Sequence, residues 1–187
     1  AHGHATVLRD DHHAHALGLE DVVDGVGDLG GELLLGLQPA GEAVHHPRQY
    51  LERTFEEVGG YDELVVLTDI RVVSFCEHHM LPFLGRAHVG YLPNDRVVGI
   101  SKLARVVHGF ARRLQIQEKL TAEIAEAIQD ILKPKGVGVV VVSEHSCMTM
   151  RGVNTPGSRH TTSTLLGEVR HDPRTRQEFF DLVRSDA

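Results

Sequence analysis

The amino-acid composition changes abruptly near residue 47, and that break confines a packed core to the residues beyond it. Before it there is no aromatic residue and no lysine, and seven of the fourteen histidines lie there: His2, His4, His12, His13, His15, His45 and His46. Apolar residues recur between positions 17 and 37, but Gly25, Gly27, Gly30, Gly31 and Gly36 interrupt them. Glycine is unfavourable inside helices and strands alike. Residues 1–47 are therefore expected to be mostly irregular, with solvated histidines rather than a metal site. Residues 48–187 are expected to form the folded domain.

Bulk properties remove several classes. A formal net charge of −7 argues against nucleic acid as a partner. No apolar run reaches the roughly eighteen residues of a membrane span. No secretory signal is read, so a cytoplasmic, reducing setting is expected.

Within the second part, residues 50–58 read as a short helix ended by Gly59-Gly60. Residues 63–75 are rich in Val, Ile and Leu and read as a strand. Residues 86–92 alternate as a second strand, closed by a Pro93-Asn94-Asp95 turn, and 97–100 read as a short extended piece. Ser101 is a candidate N-cap for a helix whose apolar face is Leu103, Val106, Val107, Phe110, Ala111 and Leu114. A second helix is expected over 117–132, with Leu120, Ile124, Ala127, Ile128, Ile131 and Leu132 as its stripe. Pro134, Lys135 and Gly136 stop it. Residues 137–143 form a nearly continuous β-branched run, a strand covered on both faces or at an interface. Residues 146–151 and 161–169 read as strands, and 174–184 as a closing helix. The order predicts an α+β fold: a four-stranded antiparallel sheet, two helices inserted between strand pairs, and a C-terminal helix.

The chemistry concentrates in two short segments. The chain has only two cysteines, in Cys76-Glu77-His78-His79 and His145-Ser146-Cys147. Each could be a buried small hydrophobe, or the two could form a disulfide. Cysteine and histidine are also the ligands zinc prefers, and two intervening residues let one turn present Cys76 and His79 to one ion. The second Cys-His pair favours metal binding over the other readings. Two cysteines and one histidine make three protein ligands, which leaves a coordination position open, as catalytic sites do. His78 and His145 flank the ligands and can move protons near neutral pH.

Four stretches in order carry a family resemblance. They are Phe75-Cys-Glu-His-His-Met-Leu-Pro-Phe83, Gly99-Ile-Ser-Lys-Leu-Ala-Arg105, Arg112-Arg-Leu-Gln-Ile-Gln-Glu-Lys-Leu120 and His145-Ser-Cys-Met-Thr-Met-Arg-Gly152. Together they resemble the GTP cyclohydrolase I family over residues 61–187. The resemblance implies a tunnelling fold (T-fold). Subunits would pair their sheets into a five-membered barrel, and two barrels would stack into a homodecamer. It also implies a reaction: hydrolytic opening of the imidazole ring of GTP to formate and 7,8-dihydroneopterin triphosphate, the entry to folate or tetrahydrobiopterin.

Carried over by position, Cys76, His79 and Cys147 match the zinc ligands. His145 matches the principal acid/base histidine; if the segment is extended, its side chain shares a face with Cys147. His78 matches a second catalytic histidine, with a supporting hydrogen bond to the ligand shell as its alternative. Glu118, with Gln117, matches the residues that hold the guanine edge, since a carboxylate accepts from N1–H and the exocyclic amine. Ser101, Lys102, Arg105 and Arg151 match the triphosphate binders.

Two departures stand out. Nothing in residues 1–47 reproduces the family's Thr-Pro-x-Arg segment, whose arginine contributes to a neighbouring subunit's triphosphate site. The segment Ser158-Arg-His-Thr-Thr-Ser163 lacks an apolar residue common near Thr161. A zinc nucleobase deaminase is excluded because His-x-Glu followed by Pro-Cys-x-x-Cys is missing. The remaining alternative is a T-fold protein that binds nucleotide without turning it over.

Overall fold

The computed structural model describes residues 46–55, 61–150 and 152–184, which lie within the unit His45–Ala187. The irregular stretch expected over 1–47 lies outside the described residues except for its last two positions, and so does Arg151.

Pro47–Leu51 is a single 3-10 turn, and β1 (Thr54–Phe55) comes after it. Of the helix expected over 50–58, only Tyr50 and Leu51 are helical in the described part, as the end of this turn. Thr54 and Phe55, β-branched and aromatic, instead pair with Val98 and Val97. β2 (Val65–Cys76) and β3 (Pro82–Leu92) form an antiparallel pair, with Phe75 opposite Pro82 and Val65 opposite Tyr91. β3 begins earlier than the alternation suggested, because Pro82 can occupy a strand's first position, where its missing N–H is tolerated. β4 (Val97–Val98) is tied back to β3 by the buried Tyr91 hydroxyl, which accepts from the Val98 N–H at 3.1 Å.

α1 (Ile100–Ala111) buries Leu103, Val106, Val107, Phe110 and Ala111, as its spacing requires. Its N-cap is Gly99 and not Ser101. Gly99 keeps an extended backbone, so the helix has already begun when Ser101 is reached. Leu114 falls outside that face: it opens β5 (Leu114–Gln115) and is half exposed. α2 spans Gln117–Leu132 and ends where Lys133 turns left-handed.

β6 (Gly136–His145) lies between β3 and β7 (His160–Leu166) in a sheet ordered β5-β2-β3-β6-β7. The four long strands are antiparallel, and β5 adds a short parallel pairing to β2. The four expected antiparallel strands are observed, with α1 and α2 inserted between the strand pairs, while β5 makes a fifth strand and β1 and β4 a separate pair that were not expected.

The valine run reflects strand geometry. Alternate side chains point to opposite faces. Val137, Val139 and Val141 pack into a core with Leu103, Phe110, Leu120, Ile124 and Ile128. Val140 and Val142 pack on the other face with Phe179. A strand covered on both faces has no polar face to offer, hence the unbroken apolar sequence.

After β6 the chain makes one helical turn, α3 (Ser146–Thr149), in which the Met150 N–H donates to Ser146 O at 3.0 Å. The strand expected over 146–151 is thus incorrect in its described part; a run this short cannot be told from a helical turn by alternation. β7 ends at Leu166, where α4 (Gly167–His171) takes over, and α5 (Pro173–Arg184) closes the chain as expected. Phe179 of α5 lies over the cross-strand pair Gly90–Gly138, where a Cβ on either residue would come within 2.9 or 2.8 Å of the ring.

Candidate active site

Register brings the predicted residues to one end of the sheet. β2 ends in Cys76, and β3 starts beyond the turn, with Phe83 opposite His145 at the end of β6. His160, first residue of β7, lies opposite Ser143. β5 runs beside the end of β2, with Gln115 opposite Cys76, so α2 starts at this same end with Gln117 and Glu118.

The turn after Cys76 is held by backbone bonds. The Met80 N–H donates to Cys76 O at 2.8 Å, Cys76 N–H to Leu81 O at 2.8 Å, and Glu77 N–H to Gln115 O at 2.9 Å. Met80 closes it at φ 54°, a left-handed conformation unusual for a methionine. The turn places His79 Nδ1 3.7 Å from Cys76 Sγ. Cys147 comes from α3, and the ligand atoms of Cys76, His79 and Cys147 all lie within 4.8 Å of one another. Tetrahedral zinc, about 2.3 Å from sulfur and 2.0–2.1 Å from nitrogen, spaces two such ligands by roughly 3.5 Å. The donor types suit zinc, and the 3.7 Å between Cys76 Sγ and His79 Nδ1 is close to that spacing, so the three residues are compatible with a zinc ion. Both cysteines are free thiols, Cys76 buried and Cys147 half-buried. Burial pushes the Cys147 thiol up, and the neighbouring Cys76 adds to this by charge and by hydrogen bonding. His78 lies beside the trio, with Nδ1 4.0 Å from Cys76 Sγ and its ring edge-on to His79.

His145 is the last strand residue before α3, so the extended path to Cys147 assumed from the sequence is replaced by a helical turn. Its ring stacks on Phe83, with centroids 4.5 Å apart and planes at 8°. Burial lowers its pKa below the usual histidine range. The His160 charge adds to this, Glu118 opposes it, and His79 contributes further lowering.

Gln117 is fully buried and hydrogen-bonded throughout. The two protons on its Nε2 face three acceptors, Val141 O at 3.0 Å, His160 O at 3.0 Å and Thr162 Oγ1 at 3.2 Å, so one of them is shared. Its Oε1 accepts from Ser143 Oγ at 2.5 Å and lies 2.8 Å from His145 Nε2. This amide, expected at the guanine edge, is committed to the protein's own groups.

Glu118 is exposed at the start of α2, and its Oε1 lies 3.2 Å from His160 Nε2. The His160 and His145 rings in turn meet in a T-shaped contact, with centroids 5.5 Å apart. Sequence reasoning missed His160, Ser143, Thr162 and Phe83. The one available signal was a histidine in the polar segment 158–163, and its partner is far away in the chain.

Ser101, Lys102 and Arg105 form a separate group on α1. Lys102 Nζ donates to Arg53 O at 2.6 Å, and among the described residues no hydrogen bond joins the three to the Cys-His cluster.

A family model described as GTP cyclohydrolase I matches residues 32–184, beginning upstream of position 48. The chain is similar to a GTP cyclohydrolase 1 of Gloeobacter violaceus, 57% identical over 128 residues, covering 68% of this chain and 60% of that protein. It is also similar to proteins of that name from Rattus norvegicus and Homo sapiens, each 56% identical over 125 residues. These matches cover 67% of this chain and 52% and 50% of the relatives, so the chain spans little more than half of their length. A crystal structure of the archaeosine synthase QueF-Like in the apo form aligns with TM-score 0.48 and 21% identity, over 57% of this chain and 96% of that one. On the family match and these identities, the chain belongs to the GTP cyclohydrolase I family.

Proposed function

We propose that this chain is a zinc-dependent hydrolase that opens the imidazole ring of GTP to give formate and 7,8-dihydroneopterin triphosphate. The observation that carries this reading is the convergence of Cys76, His79 and Cys147 beside His145 at one end of the sheet. Cys76, His79 and Cys147 would hold the zinc, which when bound supplies Lewis-acid activation of water. His145 is the acid/base group; with Nε2 engaged by Gln117, Nδ1 is the nitrogen that exchanges a proton with the purine. His78 is a second proton carrier. Glu118 accepts from guanine N1–H and the exocyclic amine, a pairing that adenine cannot make. Ser101, Lys102 and Arg105, in the first two turns of α1, offer a hydroxyl and two cations to the triphosphate near the positive helix end. Arg151 would add a third cation.

The active unit is proposed to be a homo-oligomer, a decamer of two pentameric rings. β7 is the last strand in the sheet order, and its outer row of backbone groups has no partner strand among the described residues. Such an edge supports pairing with a second copy.

The test is release of formate from GTP by the purified protein, followed together with the pterin product. His145→Ala should retain GTP binding and lose roughly a hundred- to ten-thousand-fold in rate. A protein that binds GTP and releases no formate would instead be a nucleotide-binding T-fold.

A further inference from the structure

Glu118 has a partner that the ligand-binding reading does not use. An exposed glutamate in a helix's first turn samples several rotamers, and ordering it on binding costs free energy. Here Glu118 Oε1 lies 3.2 Å from His160 Nε2. A neutral imidazole N–H suffices for this bond, and the carboxylate keeps further lone pairs on both oxygens. His160 is itself held. Its carbonyl accepts from Gln117 Nε2 at 3.0 Å, its backbone lies in register with Ser143, and its ring meets that of His145 in a T-shaped contact. The buried Gln117 amide thus anchors both His145 and the residue that orients Glu118.

We propose that His160 is a positioning residue for base recognition, holding the Glu118 carboxylate in the orientation that accepts guanine's N1–H and exocyclic amine. This rests on the assignment of Glu118 to the guanine edge. His160 then contributes to the preference for a guanine over a hypoxanthine nucleotide, because only guanine carries the exocyclic amine.

Steady-state kinetics of the full chain with GTP and inosine triphosphate test this. His160→Ala should raise KM for GTP about two- to five-fold, the order of one solvent-exposed pair, with a smaller change in kcat. Its preference for GTP over inosine triphosphate should fall, and His160→Gln, which restores an N–H donor, should recover most of both. Glu118→Gln is measured in parallel. If Glu118→Gln loses the preference while His160→Ala keeps parental KM and preference, the role of His160 is overturned and the base assignment stands. If neither variant changes the preference, the base assignment falls and the proposal with it. If His160→Ala melts early, His160→Thr, suited to a strand, takes its place in the same comparison.

Discussion

Gln117 holds His145 by one ring nitrogen. Gln117 Nε2 points at the carbonyls of Val141 and His160, so its nitrogen and oxygen are distinguished by their partners. The oxygen can only accept, and His145 Nε2, 2.8 Å away, must therefore carry the proton. In the neutral ring Nδ1 is then the bare nitrogen.

The expected outcome is a single Nε2–H tautomer, read from the nitrogen-15 shifts of the His145 ring. Gln117→Leu should mix the tautomers and slow formate release. It should also destabilise the fold by about 1–3 kcal/mol, because the buried Ser143 hydroxyl loses its acceptor. A parental tautomer and rate in Gln117→Leu would count against the positioning role.

Phe179 is the largest buried side chain of the second core, beside Leu64, Leu92, Val140 and Val169. Phe179 is fully buried over Gly90 and Gly138. Phe179→Ala should cost about 3–5 kcal/mol, measured by denaturant unfolding. Gly138→Ala alone should cost about 1–3 kcal/mol by overpacking against the ring. Combined, the two should cost less than their sum, because the new methyl enters the vacated space. Strict additivity would mean that the ring and the glycine are not in contact.

Much of this was legible because periodicity reports burial. The stripe over about 117–132 located α2, and the valine run located a strand covered on both faces or at an interface, of which the first holds within the described residues. The ligand trio was legible because the chain has only two cysteines and each stands beside a histidine. The failures share a cause: short segments carry too few residues for a period. Residues 146–149 read as strand but form a helical turn, and Ser101 read as a cap because nothing local marked Gly99. The Gln117 and His160 contacts were invisible, since β6–β7 pairing creates them between residues distant in sequence.

The last helix carries a pH-dependent cap. Asp172 Oδ2 accepts from Thr175 Oγ1 at 2.7 Å and from Thr175 N–H at 2.9 Å, with Pro173 in the first helical position. These bonds, the hydroxyl's first, hold the Asp172 carboxyl below its usual range. A lowered folded-state pKa stabilises above the unfolded value, about 3.9, and the gain is lost as pH falls through the folded value. Asp172→Ala should therefore unfold at lower denaturant than the parent near neutral pH, and the gap should close in acid. A gap that widens on acidification would contradict the cap.

Cys76, His79 and Cys147 are proposed to make one zinc site. Metal analysis of the full chain, after weakly held ions are removed, tests it most directly, with the Cys76→Ser, Cys147→Ser double variant alongside. About one zinc per parent chain is expected, and none in a double variant that remains folded by circular dichroism. Zinc retained at full stoichiometry in that variant would contradict it and move the metal to other groups, the histidines of the first 47 residues foremost.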